Sequence, residues 1–358
     1  MTNIRHCSGE IRQFILEHVV EPPRDIVTVT AQAFGLTRQG VHRHLQRLLR
    51  DQALSVLGTT RNRRYTLRPR TAWMEDHALS DIVGEDVLWS RDIRPVLGHL
   101  PANVLDIWQY GFTEMMNNAL EHSAGQRVGV VVTQTAFHTQ MLIADDGEGI
   151  FRKLQRELGL ADERHADLEL GKGKVTTDPV HHSGVGIFFT SRMFDHFTIL
   201  SGNVSFAHHR EQEYPDDPLY WIGKEQQFAP GTAVWIDLKN TVIWTTKEVF
   251  DQFSTDEDYG FTKTVVPVHL AQYGDEKLVS RSQAKRLLAS MERFRVVLLD
   301  FAGVETIGQA FADEVFRVFV MTHPKIALYA EHANMAVLQM IRHVAGARAD
   351  DLLADEEA

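Results

Sequence analysis

Cysteine is almost missing from this chain. Cys7 stands alone among 358 residues, so no internal disulfide can form. Long apolar runs are missing too: the longest are short ones such as Val128–Val132 and Val296–Leu299, far from the ~18 residues that a membrane-spanning helix needs. No basic-then-apolar leader opens the chain, which predicts a cytoplasmic protein with no membrane role. Lysine is absent from residues 1–70, yet that stretch holds 12 arginines against 5 acids, a net +7; since the whole chain carries −11, the rest carries −18. A nucleic-acid coat is thereby excluded for the body, and a polyanion partner is expected for the head alone.

What is present is ordinary globular material. Apolar residues make up 44% and charged residues 24%, which excludes a mainly disordered or collagen-like chain. The length exceeds what one core usually organises and predicts two or three domains.

In the head, Ile11, Phe14, Ile15, Leu16 and Val19 recur at helical spacing until Pro22-Pro23. Thr28–Phe34 reads as a second helix, Gly35 as a turn, and Thr37 as the N-cap of a third helix that runs to about Asp51 and buries Val41, Leu45, Leu48 and Leu49. The opposite face offers Arg38, Gln39, His42 and Arg43, side chains able to reach base edges. Two short strands follow, Leu54–Leu57 and Tyr65–Leu67, with Arg61, Arg63 and Arg64 on the tip between them, long cations suited to a phosphate backbone. This order resembles a winged helix-turn-helix over residues 5–68. The resemblance implies an α+β DNA-binding domain over 1–70 that takes double-stranded DNA.

The middle of the chain reads as one long or interrupted helix over 73–106, a helix Phe112–Glu121, and strands Val128–Thr133 and Met141–Ala144. Four short segments stand out. Glu114 and Asn118 lie four apart, so a carboxylate and an amide share one helical face. Asp145-Asp-Gly-Glu-Gly-Ile150 is a glycine turn at a strand end; His182-Ser-Gly-Val-Gly-Ile187 opens an apolar helix; Gly231-Thr232 enters strand Ala233–Leu238. Each alone is weak, but in this order they resemble, over about residues 95–240, the four boxes of the Bergerat-fold (GHKL) ATPases, a layered α/β sandwich, and the domain is expected to span 71–245.

That resemblance implies ATP and Mg²⁺ as cofactors and assigns roles. Asn118 would give its amide oxygen to magnesium, and Glu114 would be the general base. Asp145 would accept from the adenine amino group, with Gly147 and Gly149 keeping the backbone close and Thr232 completing the adenine pocket. Ser183, Gly184, Val185 and Gly186 would present backbone amides to the phosphates. Residues 151–181 would form the lid, with Lys172 and Lys174 as phosphate contacts. The third box looks closest to the Arg-Ser-Gly-Met-Gly pattern of anti-sigma-factor serine kinases. His77 lacks the neighbours of a histidine-kinase phosphoacceptor, and autophosphorylation on histidine is not expected. The pairs His181-His182 and His208-His209 lack the accompanying ligands that zinc would need.

From Thr264 strands and helices alternate again: strands 264–269, 296–301 and 326–329, helices 280–294, 310–321 and 333–343. The run Val297-Leu-Leu-Asp-Phe-Ala-Gly-Val-Glu-Thr-Ile-Gly-Gln-Ala-Phe-Ala-Asp313 resembles STAS-like domains over 262–345, leaving an acidic tail at 346–358. Antagonists of that kind carry a phosphorylatable hydroxyl where this chain has Gly308-Gln309, so a protein-binding or dimerising role is expected. The combined expectation is a three-domain, ATP-switched DNA-binding regulator; the alternatives are a serine/threonine kinase acting on a partner protein and an ATP-dependent DNA repair or defence component.

Overall fold

The computed structural model describes residues 8–19, 25–58, 63–175, 184–210, 228–254, 261–272 and 277–353. Its apolar side chains segregate into three cores, one for each expected domain.

The head is three helices and a hairpin: α1 (Ser8–His18), α2 (Ile26–Phe34), α3 (Arg38–Arg50), β1 (Leu54–Leu57) and β2 (Arg64–Leu67). Asp25 caps α2 by accepting from the Val27 amide, and Gly35 ends it in the left-handed conformation. Thr37 caps α3 through the Gly40 amide, and Val41, Leu45 and Leu48 are its buried stripe. β1 and β2 pair antiparallel, Leu54 opposite Leu67. Residues 59–62, including Arg61, lie outside the described residues.

The central domain is a six-stranded sheet backed by helices. Its strands are β3 (Thr71–Ala78), β4 (Arg127–Gln134), β5 (His138–Asp145), β6 (His196–Gly202), β7 (Val204–His209) and β8 (Phe228–Lys239), in the order β3-β4-β5-β8-β6-β7, every neighbouring pair antiparallel. Val128, Val130, Val132, Ile143 and Ile236 alternate along the strands toward one face. Covering that face are α4 (Ala102–Asn117), α5 (Ile150–Leu158), α6 (His165–Lys172) and α7 (Gly186–Met193). Trp108 and Phe112 of α4 are fully buried, and Phe194, following α7, packs edge-on against Trp108.

One expectation for this region needs correction. Residues 73–106 are not one long helix: 71–78 is an edge strand paired to β4, helical turns run over 85–97, and α4 starts afresh at Ala102 after Gly98 and Pro101. Pairing along eight residues of β4 overrides the local helical preference. His77 therefore sits on a strand.

The C-terminal domain carries β9 (Lys263–Pro267), β10 (Val296–Asp300) and β11 (Ala327–Glu331), parallel in the order β11-β10-β9. Around them lie α8 (Thr246–Asp251, still packed on the central core), α9 (Arg281–Leu288), α10 (Gln309–Asp313, continued by helical turns to Thr322) and α11 (Met335–Ala345). A capping box at Ser280 and Gln283 starts α9, which ends earlier than the sequence suggests. The expected acidic tail is also shorter: 346–353 fold onto this domain, Leu352 enters its core, and Leu353 bridges Ala330.

Candidate functional site

The four central segments converge on one cavity of about 290 Å³. Glu114, Asn118, Asp145, Gly149, Gly184, Val185, Gly186 and Thr232 all line it, although more than a hundred residues separate the first from the last.

Helix α4 delivers Glu114 and Asn118 one turn apart on the cavity side. At Asn118 the helix widens into a π-turn that runs to His122, placing Asn117, Glu121 and His122 on the cavity wall as well. The Asn118 amide nitrogen faces Met115 Sδ at 3.9 Å. Gly186 opens α7 directly against Glu114: a Cβ at Gly186 would meet the Glu114 carboxylate, which would have to swing away from its present position.

Asp145 closes β5. Its Oδ1 accepts from the amides of Gly147 (2.9 Å) and Thr232 (3.3 Å), while Oδ2 accepts from no described residue. Burial pushes its carboxyl up from the ordinary range, and these two amides pull the other way. Thr232 Oγ1 in turn accepts from the Ile150 amide at 3.0 Å, tying β8 to the start of α5. Gly147 is needed for a stricter reason, since a Cβ there would strike the Ser123 carbonyl, a backbone atom. A carboxylate with one oxygen committed to the backbone and one uncommitted, at a partly apolar cavity floored by Ile143, Ile199 and Val234, fits the amino edge of a purine.

Two of the expected contacts are elsewhere. Lys172 and Lys174 do not reach toward phosphates: Lys172 is 1% exposed and bonds to Glu169 and to the carbonyls of Arg286 and Ala289, and Lys174 bonds to the Arg293 carbonyl. Both side chains are drawn away by the C-terminal domain. Among the described residues the lysine that does line the cavity is Lys153, on α5, whose Nζ donates to the His122 carbonyl at 2.9 Å. It sits three residues after Ile150, the last residue of the glycine turn, and that proximity is the signal the sequence offers for it. Ser183, His181 and His182 lie outside the described residues.

On the head, Gln39, His42 and Arg43 are exposed along α3, and Arg63 and Arg64 are exposed at the start of β2. Arg38 is not a free reader: its guanidinium pairs with Asp25 at 3.1 Å and bonds Thr28 Oγ1 at 2.8 Å, bracing α3 against the N-terminus of α2. The head meets the central domain through Phe137, which leaves the β4–β5 turn to join the head's core, and through a Lys239–Glu17 ion pair at 3.9 Å. No helix among the described residues is long and apolar enough to cross a membrane.

Comparison with curated proteins gives no match. Family models do match parts of the chain, a histidine kinase-like ATPase domain over residues 91–205 and a STAS-like domain of unknown function over 283–334. The protein thus carries a histidine-kinase-like ATPase domain followed by a STAS-like domain.

Proposed function

We propose that the protein is an ATP-switched, DNA-binding regulator. The observation that carries the reading is the meeting of Glu114, Asn118, Asp145, Gly186 and Thr232 around a single cavity within the ATPase domain. Asp145 and Thr232 hold the adenine end. At the other end Asn118 offers an amide oxygen to Mg²⁺, which when bound supplies charge neutralisation between phosphates. Gly184, Val185 and Gly186 stand at the N-terminus of α7, where backbone amides favour anions, and Lys153 adds a positive charge. Glu114 lies against Gly186 and so beside the phosphate end, in position to accept a proton from an attacking hydroxyl or water. The bent glycine turn and Ile143, Ile199 and Val234 exclude water from the base.

The head supports the DNA part. Three helices followed by a β-hairpin are the elements a winged helix would use, the charge is +7 over residues 1–70, and α3 exposes Gln39, His42 and Arg43. We place Arg63 and Arg64 on phosphates, together with Arg61, and read the protein-partner surface and a homodimer as further associations of the C-terminal domain. A second reading, a serine/threonine kinase acting on a partner protein, draws on the same Glu114 placement, because a base beside the phosphates serves a protein hydroxyl as well as water.

Calorimetry of ATP with Mg²⁺ on wild type and Glu114→Gln tests the site. Both should bind, while phosphate release or transfer should fall by about 10²–10⁴-fold in the variant. Equal turnover by the two removes Glu114 from the chemistry, and transfer of label to a protein rather than to water selects the kinase reading.

A further inference from the structure

Helix α6 belongs to two cores at once. Ala166 and Leu170 pack with the ATPase domain, whereas Leu168 packs into the core of the C-terminal domain. Its last residue, Lys172, donates to Glu169 Oε1 and to the carbonyls of Arg286 (2.9 Å) and Ala289 (3.0 Å), the last turn and C-cap of α9, where the helix dipole favours a cation. From β9, Thr264 Oγ1 donates back to the Lys172 carbonyl at 2.6 Å. Lys174 and Arg293 then exchange bonds, Lys174 Nζ to the Arg293 carbonyl (2.9 Å) and Arg293 Nη1 to the Lys174 carbonyl (2.8 Å).

A second bolt comes from α7, the helix that opens at Gly186. Arg192 is buried, with its guanidinium 3.4 Å from the centroid of the Phe188 ring; Nη2 donates to the carbonyls of Gly171 and Val265, both at 3.2 Å. Gly171 is on α6 and Val265 on β9, so one side chain joins the phosphate-box helix, α6 and the C-terminal sheet. The walls of the cavity alternate with these fasteners along the chain: Leu170, Val175 and Phe188 line it, and Lys172, Lys174 and Arg192 are anchored to the C-terminal domain.

We propose that Lys172 and Arg192 are positioning residues for the cavity, and that through them the STAS-like domain sets the wall against which a nucleotide packs. The proposal rests on the nucleotide reading of that cavity. By linkage, a nucleotide that binds tighter to the docked arrangement must strengthen the docking by the same factor. A partner that pulls on the C-terminal domain would therefore act on nucleotide affinity without touching the cavity.

The test uses the full chain. A fluorescent ATP analogue with Mg²⁺ is titrated against wild type, Lys172→Met, Arg192→Met and Arg192→Lys, and hydrogen exchange is followed over residues 281–293 with and without ATP. The two methionine variants should bind about 10-fold or more weakly, with partial recovery in Arg192→Lys, and ATP should slow exchange at 281–293 in wild type. A purely structural role would lower the melting temperature and leave affinity of the folded protein unchanged. Should a methionine variant fail to fold, Arg293→Ala, which removes only an exposed side chain's bond to Lys174, should still weaken binding about 3-fold. Affinities within twofold of wild type in every folded variant overturn the proposal alone. A wild type that binds no ATP overturns the nucleotide reading and the proposal with it.

Discussion

At its two ends the ATPase domain is joined to its neighbours in opposite ways. The head is held by an aromatic plug, Phe137, and a partly exposed ion pair, at the end of the sheet away from the cavity. The C-terminal domain is held by a buried lysine, a buried arginine and a shared helix, next to the cavity wall. Apolar plugs tolerate small rotations, because burial is non-directional, whereas a charged group out of water needs each of its partners in place. The contrast teaches that the cavity wall is fastened to the C-terminal domain by directional bonds and that the head is joined to the same sheet mainly by apolar packing.

The largest effect expected from breaking this contrast is at Lys172. Lys172→Ala leaves Glu169 buried without its partner and should cost about 3–5 kcal/mol in urea denaturation of the full chain. Phe137→Ala should cost up to about 3 kcal/mol, confined to the head's transition and with ATP affinity unchanged; a parallel loss of ATP binding would erase the difference between the two junctions. Asp145→Asn replaces an acceptor oxygen by a donor and should weaken ATP by about 1.5–3 kcal/mol in calorimetry, with little change in the chain's stability.

A smaller effect is expected from pH. Asp167, on α6, has its carboxyl pushed up to about 7 by burial, against the pull of the Leu168 amide and Arg164. The fold favours the neutral acid, so this contribution is complete below the ordinary carboxylate range and is lost as pH rises through about 7. Wild type should lose melting temperature relative to Asp167→Asn between pH 4 and pH 8; parallel curves would show that the carboxyl titrates normally. Smallest per residue is the head: Arg63→Ala with Arg64→Ala should flatten the salt dependence of DNA binding by about 0.9 log units for each arginine taken off a phosphate, read by electrophoretic shift. An unchanged slope places the phosphate-binding cations elsewhere.

The cavity is legible in the sequence because its residues fall in short segments. Glu114 and Asn118 are one turn apart, and Gly147, Gly149 and Gly186 stand in glycine-rich runs visible in the sequence, although the groups they approach, Ser123, Ser201 and Glu114, come from other segments. Lys172 and Lys174 escape such reasoning because their partners, Arg286, Ala289 and Arg293, lie more than a hundred residues on, and no spacing rule reaches that far. The strand 71–78 looks helical in sequence for a related reason. It is an edge strand whose exposed Met74, Glu75 and Asp76 blur the alternation a half-buried strand should show. Arg38 lies on the reading face of α3, yet Asp25, thirteen residues earlier, claims its guanidinium.

One ladder runs the length of the central sheet. β5 and β8 pair from Asp145 opposite Thr232 at the cavity to His138 opposite Lys239 at the head, a span of about 24 Å at ~3.4 Å per residue. Sliding by one residue along this ladder would turn Val234, Ile236 and Leu238 out of the core and Trp235 and Asp237 into it, so slippage is closed as a mode of motion. What the pair fixes is distance: the cavity and the turn that carries Phe137 are held a set number of rungs apart along the sheet.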